Sequence, residues 1–485
     1  MRLKGFCGGS YQSQSPLAAN ERTINLYSER IEGENGTTDV ALYPTPGVQM
    51  VTDGVQSPGF AHIEALGREF TVNGASFLEI DANGVRTSRG TVTLGDTPAT
   101  ISSNGKTGGQ LLITAGTNAY LFTLSTNAFA QVTALDGLAT MGDQIDGYFL
   151  VLDALNSKWY FSGLNDGATW STSVNFAARN RAPDSWVSMK VANGYIWLLG
   201  TATSEIWYNA GTFPMPFQPY PTAVVPHGCG APFSPAMVGG VLHWLGSDKE
   251  VLQASGFSPT VVSTYALSNV LSGYSSVSDG VGDTYTSRGH SFYILSFDAA
   301  AATHCYDLNM QLWHERLTWI SEESAFVAWR PRFHAFVFGQ HRMLDASGGR
   351  IYEMSETFSE DVDERPIRRL RRSPTLYREN QRIFVDAFEL DVEPGLGNTV
   401  DPGSNPQVML RISNDGGKTW GTEHMRSAGK IGEYGHRVRW NRMGSGRRRV
   451  LEVSTTDAIQ WRFMGAFAEI RQAPAGVQKY QQAQQ

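Results

Sequence analysis

The chain reads as an all-β protein, an irregular β-propeller of about seven hairpin units followed by a smaller β-sandwich-like C-terminal module. Three observations point there. Glycine is abundant, 51 of 485 residues, and charged residues make up only 18%, a balance that favours short strands and tight turns over long amphipathic helices. Short apolar and aromatic runs punctuated by Gly, Asn, Ser and Asp recur from about residue 60 to residue 354, as hairpins require. The third is their spacing. Units begin near residues 70, 111, 148, 195, 241, 292 and 333, with gaps of 41, 37, 47, 46, 51 and 41, which suits a four-stranded propeller blade. A lone meander cannot bury both its faces, so the units must stack around a shared axis. A long sandwich would repeat at roughly 8–12 residues without a longer period, and solenoid coils are shorter and more uniform. The propeller is preferred to both.

In order, residues 1–44 form a polar N-terminal arm whose main apolar run is Ile24-Asn25-Leu26-Tyr27, expected to lie on a neighbour rather than to form an independent domain. Asn35-Gly36-Thr37 matches a glycosylation acceptor, which a cytoplasmic product would not use. The propeller spans 45–360. Its expected strand pairs are 70–72 with 77–80, 111–115 with 119–123, 148–152 with 159–162, 195–199 with 205–209, 241–245 with 250–253, 292–295 with 304–308, and 333–338 with 351–354. Between the fourth and fifth pairs, Pro214, Pro216, Pro219, Pro221 and Pro226 remove backbone donors and fix φ, so an ordered irregular crossing is expected. Residues 361–374 read as a charged linker, with Asp361, Asp363 and Glu364 abutting Arg365, Arg368, Arg369, Arg371 and Arg372. Strands of a second β module follow over 375–473, near 382–392, 408–412, 436–440, 449–453 and 461–470. Residues 474–485 read as a flexible, low-complexity tail.

Cys7, Cys229 and Cys305 are odd in number and far apart, so no disulfide framework is expected and buried thiols are the simple reading. No apolar run follows the N-terminal charges as in a signal peptide, and no window approaches the roughly 18 apolar residues of a membrane span. Synthesis in a reducing cytoplasm is expected. Residues 361–485 carry 20 Lys+Arg against 15 Asp+Glu, and residues 1–360 carry 19 against 31. An acidic body of −12 beside a basic end of +5 is the wrong sign for a tight grip on nucleic acid.

Ser413-Asn414-Asp415-Gly416-Gly417-Lys418-Thr419-Trp420 resembles the Asp-box turn of sialidases and other β proteins. Ser413, Asp415, Gly417, Thr419 and Trp420 are expected to build a hairpin turn: Asp415 accepts backbone N–H groups, Gly417 supplies positive φ, and Trp420 packs the turn on its sheet. Asp166-Gly167-Ala168-Thr169-Trp170 is a shorter echo. Gly105-Lys106-Thr107 and Gly417-Lys418-Thr419 are not phosphate loops: Thr100 and Ile412 stand where the first glycine belongs, and neither is expected to open a helix. The ten histidines show no metal-ligand spacing, and no two carboxylates are tied locally into an acid/base pair. No catalytic residue, cofactor or metal is therefore expected. The arginines at 365–372 and 447–449 could meet phosphates, but ion pairing with an acidic neighbouring subunit or adaptor is preferred.

One stretch carries a family resemblance. Pro183-Asp184 is followed by the apolar run 195–199, then by Gly200…Ser204-Glu205-Ile206-Trp207-Tyr208-Asn209-Ala210-Gly211…Pro216-Phe217. His227-Gly228-Cys229-Gly230-Ala231, Gly239-Gly240-Val241-Leu242-His243-Trp244-Leu245-Gly246 and Ser263-Thr264 come next. With Asn25-Leu26-Tyr27, Tyr43-Pro44-Thr45-Pro46-Gly47 and 408–470, this order resembles the tail hub, or nozzle, proteins of short-tailed bacteriophages, the packaged-DNA stabilisation family. The resemblance implies a structural virion-tail protein and not an enzyme. It further implies a ring, a hexamer in this family, beneath the head-to-tail adaptor. Such a ring would let double-stranded DNA pass and would receive tailspikes or fibres and a plug or needle. A sialidase-like glycosidase and a glycan-binding adhesin remain the alternatives.

Overall fold

The computed structural model describes residues 1–33, 38–54, 57–179, 181–379 and 381–472. Asn35-Gly36-Thr37 and the expected tail at 474–485 lie outside the described residues. Among the described residues, seven units of four or five strands fill 59–91, 100–131, 141–178, 186–225, 236–261, 281–315 and 331–355, each an antiparallel meander. The seventh contributes only three strands of its own, Pro331–Val337, Gln340–Asp345 and Ile351–Ser355. Its fourth is Gly47–Thr52, which pairs with Ile351–Ser355 and precedes the first blade in sequence. A strand from the N-terminal side therefore completes the last blade. Pro331–Val337 packs against Gly59–Ala65, the first strand of the first blade, and so closes the circle.

The blades are tied to one another at their first strands. The Gly142 N–H donates to Thr100 Oγ1 at 2.8 Å, the Val191 N–H to Asp143 Oδ2 at 2.9 Å, and the His334 N–H to Asp283 Oδ2 at 3.0 Å. Ser188 Oγ donates to the Pro232 carbonyl at 2.6 Å between blades four and five. Between these ties the blade faces bury aromatic side chains. Phe70, Phe77 and Phe122 meet at 5.4–5.7 Å across blades one and two, and Trp159 meets Trp207 edge-on at 5.6 Å across blades three and four. Such contacts add to simple area burial.

The sequence spacing marks second strands in six blades, because those are the most apolar. In the seventh it marks the first strand, Pro331–Val337, and gives no sign of Gln340–Asp345. Three further differences are local. Phe217–Val225, within the expected irregular crossing, is the fourth strand of the fourth blade and pairs with Ser204–Asn209. Tyr265–Ser272 is a helix capped by Thr264, whose hydroxyl accepts from the Leu267 N–H at 3.2 Å. Gly105–Gly108, against expectation, forms a single helical turn with no buried residue.

The C-terminal module is a β-sandwich that takes the N-terminal arm into both its sheets. One sheet runs Leu26–Arg30, Val40–Pro44, Phe463–Gln472, Ile383–Val392, Val438–Asn441. The other runs Asn20–Ile24, Arg369–Arg372, Arg448–Thr455, Gln407–Ser413, His424–Ser427. Phe388, Trp440, Trp461, Phe463, Leu410 and Val453 fill the space between them. Two expectations are corrected here. The arm lies within its own chain, because its alternating apolar residues Ile24, Leu26 and Leu42 are fully buried there. Residues 369–372 are not linker but a strand hydrogen-bonded on both sides.

Candidate functional site at the propeller–sandwich junction

The second sheet of the sandwich continues into the sixth blade. Ile24 pairs in parallel with Glu315, the last residue of strand Leu312–Glu315, so one sheet crosses from propeller to sandwich. The crossing is knotted by Asn25, which is buried and has φ 56°, a conformation Asn tolerates better than most L-residues. Its Nδ2 donates to the carbonyls of Leu317 at 2.8 Å and Arg368 at 2.9 Å. Its Oδ1 accepts from the Leu317 N–H at 2.9 Å, and its own N–H donates to the Glu315 carbonyl at 2.8 Å. Three distant segments thus meet on one carboxamide whose polar groups are all paired.

The arginines picked out in the sequence surround this knot. Arg371 is 1% exposed and donates to the carbonyls of Gly5 at 2.7 Å and Gly9 at 3.0 Å and to Thr23 Oγ1 at 2.6 Å, with Phe6 beneath it. Burial pushes its guanidinium down to about 10. Arg369, equally buried and also pushed down to about 10, has a single long contact to the Ile367 carbonyl at 3.5 Å, its charge offset by Asp361. Arg368 lies 4.4 Å over the Trp319 ring, bonds Ser454 Oγ at 3.0 Å and pairs with Glu423. Arg372 bonds Glu452 at 2.9 Å and Asn20 Oδ1 at 2.8 Å. Arg365 is half-buried and pairs with Glu322 at 3.2 Å. The reading of this run as a subunit or adaptor surface is corrected for Arg369 and Arg371. In a strand flanked on both sides, alternate side chains must enter the sandwich, and theirs do.

The Asp-box residues lie in the same neighbourhood. Ser413 Oγ donates to Asp415 Oδ1 at 2.7 Å and accepts from the Gly417 N–H at 2.7 Å. Asp415 also accepts the N–H groups of Lys418 and Thr419 and the Thr419 hydroxyl, at 2.6–3.1 Å. The Ser413 and Thr419 hydroxyls, then these amides, hold the carboxyl well below the usual carboxylate range. Gly417, at φ 94°, lies so close to Asn20 that a Cβ would meet its Nδ2, and Asn20 Nδ2 donates to the Gly416 carbonyl. Trp420 takes Arg372 and Arg411 on its ring. The echo at 166–170 makes a smaller turn of the same kind, with the Thr169 hydroxyl on Asp166 at 2.6 Å.

Several junction residues carried no sequence signal. Glu315 takes Arg22 in a two-pronged pair at 2.8 and 2.6 Å; against the opposing effect of its burial, this holds the carboxyl below its ordinary value. Arg316, 2% exposed, stacks on Trp329 at 3.4 Å and donates to the Pro46 carbonyl at 2.7 Å. The Trp329 indole donates to Asp361, whose carboxyl burial pushes up. A cavity of about 280 Å³ beside Arg22 and Glu315 is floored by Trp313, Phe326 and the Tyr274–His304 pair. Among the described residues, no group of three or more His, Cys, Asp or Glu side chains is placed to hold a metal ion. Arg22, Arg365, Arg368 and Arg372 are held in ion pairs, and Arg371 is held by carbonyls and a hydroxyl.

Comparison with known proteins follows the same division. Residues 9–359 match the family model described as bacteriophage P22 Gp10, beta-propeller, and residues 368–471 match bacteriophage P22 Gp10, beta-sandwich. No curated protein sequence matches the chain. Among solved structures, the N-terminal domain of Nup159 is similar over 69% of this chain and 98% of its own, at 13% identity and a TM-score of 0.40. The computationally designed Ika8 protein is similar over 63% and 99%, at 8% identity and 0.42. PorZ of Porphyromonas gingivalis is similar over 70% and 44%, at 11% identity and 0.37. With both of its halves matched in order, the chain belongs to the bacteriophage P22 Gp10 family, structural phage tail proteins that stabilise packaged DNA.

Proposed function

We propose that this chain is a rigid, non-enzymatic wall segment of a ring-shaped tail hub. The ring, a hexamer as the resemblance implies, continues the DNA conduit below the head-to-tail adaptor of a short-tailed phage. It helps to retain the packaged DNA and offers its outer and lower surfaces to tailspikes or fibres and to a plug or needle. The observation that carries this reading is the continuous sheet running from the sixth blade into the sandwich, clamped by Asn25 and the buried arginine strand. A segment that withstands the pressure of packaged DNA needs its two halves to move as one body. The −12 balance of residues 1–360 supports the same reading, because a surface that forms few phosphate contacts gains nothing from counterion release and lets DNA slide.

Nuclease protection of packaged DNA tests the proposal. Particles assembled without this chain should fill with DNA and then lose it, and adding the purified chain back before release should restore protection. Full protection in its absence would overturn the reading.

A further inference from the structure

The far end of the sandwich has a surface that the junction does not use. Strand Arg448–Thr455 begins there and ends at the propeller, a run of about 24 Å at roughly 3.4 Å per residue. Around its start, Lys4, Arg378, Arg382, Arg442 and Arg447 are exposed and Arg448 is half-buried. Among the described residues none of the six has a carboxylate within ion-pair distance. Pairing brings them together: Tyr377 stands opposite Arg448 across the sheet, and Arg382 Nε bonds Ser445 Oγ at 3.0 Å. Of the nearby acids, Asp386 is taken by Arg471 at 2.8 Å, leaving exposed Glu379. Elsewhere in the sandwich Arg411, Arg437, Arg439 and Arg462 are all paired.

Beside these cations lies a groove of about 560 Å³, lined by Lys4 and Arg378 of the six. Its floor is apolar: Leu3, Leu376 and Ile383 are buried, with Pro374 and Ile470 beside them. Tyr377, 53% exposed, stands at the edge with the Arg448 guanidinium 5.7 Å from its ring. A phosphate backbone would use the cations and leave the apolar floor empty. An apolar floor with cations at its edge is instead how protein interfaces are built, an anchor pocket beside a polar border.

We propose that this end of the sandwich docks an acidic segment of another protein, a segment that carries one apolar anchor residue into the groove. The cations supply steering and orientation, and the groove supplies most of the affinity. This surface is separate from the junction, and the proposal stands whether or not the chain forms a ring.

Fluorescence anisotropy on the isolated chain tests it with three labelled probes: a peptide of about twelve residues, mostly Asp and Glu around a Leu-Phe pair; the same peptide with Gly for Leu-Phe; and a DNA duplex of about 20 base pairs. The anchored peptide should bind, and the other two at least about tenfold more weakly. The double substitution Arg447→Glu, Arg448→Glu should weaken the anchored peptide by about tenfold or more, with an unchanged circular dichroism spectrum. Arg378→Glu with Arg382→Glu repeats the test should the first pair disturb folding. Equal binding of the anchorless peptide, tighter binding of the duplex, or no binding of the anchored peptide would each overturn the proposal. Self-association of the chain abolished by the same substitutions would overturn it too, by placing a second copy in the groove.

Discussion

The guanidinium of Arg372 lies 4.8 Å from the centroid of the Trp420 ring, and Arg411 covers the same indole at 5.3 Å. Glu452 joins the two arginines from below, at 2.9 and 3.0 Å. The hairpin turn at 413–420 and the strand at the junction are therefore one electrostatic unit. Trp420→Ala should cost about 1–3 kcal/mol of stability, and Trp420→Phe, which keeps a ring, should recover part of it. Urea unfolding followed by circular dichroism measures both.

Arg371 donates to two carbonyls and a hydroxyl in the interior of the sandwich. Arg371→Glu would remove those donors and set a carboxylate against acceptor oxygens, at a cost above about 3 kcal/mol, while Arg371→Met should cost less because it leaves no buried charge. Soluble yield and the midpoint of thermal unfolding report the difference. Recharging the whole run from Arg368 to Arg372 is accordingly expected to unfold the chain, contrary to the sequence-based expectation of a subunit or adaptor contact whose recharging blocks assembly and leaves the monomer folded.

Asn25→Ala should be costlier than Asn25→Gly. Both lose the carboxamide bonds to Leu317 and Arg368, but only alanine must also hold φ near 56° with a Cβ. A loss of about 2–4 kcal/mol is expected for alanine. Limited proteolysis should show the first new cleavage near residues 20–25 or 365–370, where the halves separate.

Asp283 accepts the N–H groups of Thr284 and His334 where blades six and seven meet, and burial pushes its carboxyl up to about 6. A carboxyl raised on folding favours the protonated native state. Its contribution is fully present below about pH 4 and is lost as pH rises through about 6, on the order of 3 kcal/mol in all. Asp283→Asn should flatten that part of the stability curve between pH 4 and 6. Denaturant midpoints collected across the range give the test, and an identical slope in wild type and variant would contradict it.

The blades were legible because each second strand is an uninterrupted apolar run between turn residues, as at Tyr195–Gly200 and His290–Phe297. Gly47–Thr52 was not, since its partner lies some 300 residues away and its own burial is confined to Gly47 and Val48 among exposed and half-buried neighbours. The Asp-box turn could be read because its hydrogen bonds are local. Its contact with Asn20 could not, because that depends on where the arm folds back. The arginine strand misled for a related reason. Charged runs are solvated in most chains, and the carbonyls of Gly5 and Gly9 that satisfy Arg371 leave no mark in the sequence around it.

Cryo-electron microscopy of the purified chain bound to its head-to-tail adaptor tests the central claim most directly. A closed ring is expected, in which every copy keeps propeller and sandwich in the relation described here, with strand Asn20–Ile24 still seated between Leu312–Glu315 and Arg369–Arg372. Copies whose sandwich swings on its propeller, or a chain that binds the adaptor without closing a ring, would contradict the account.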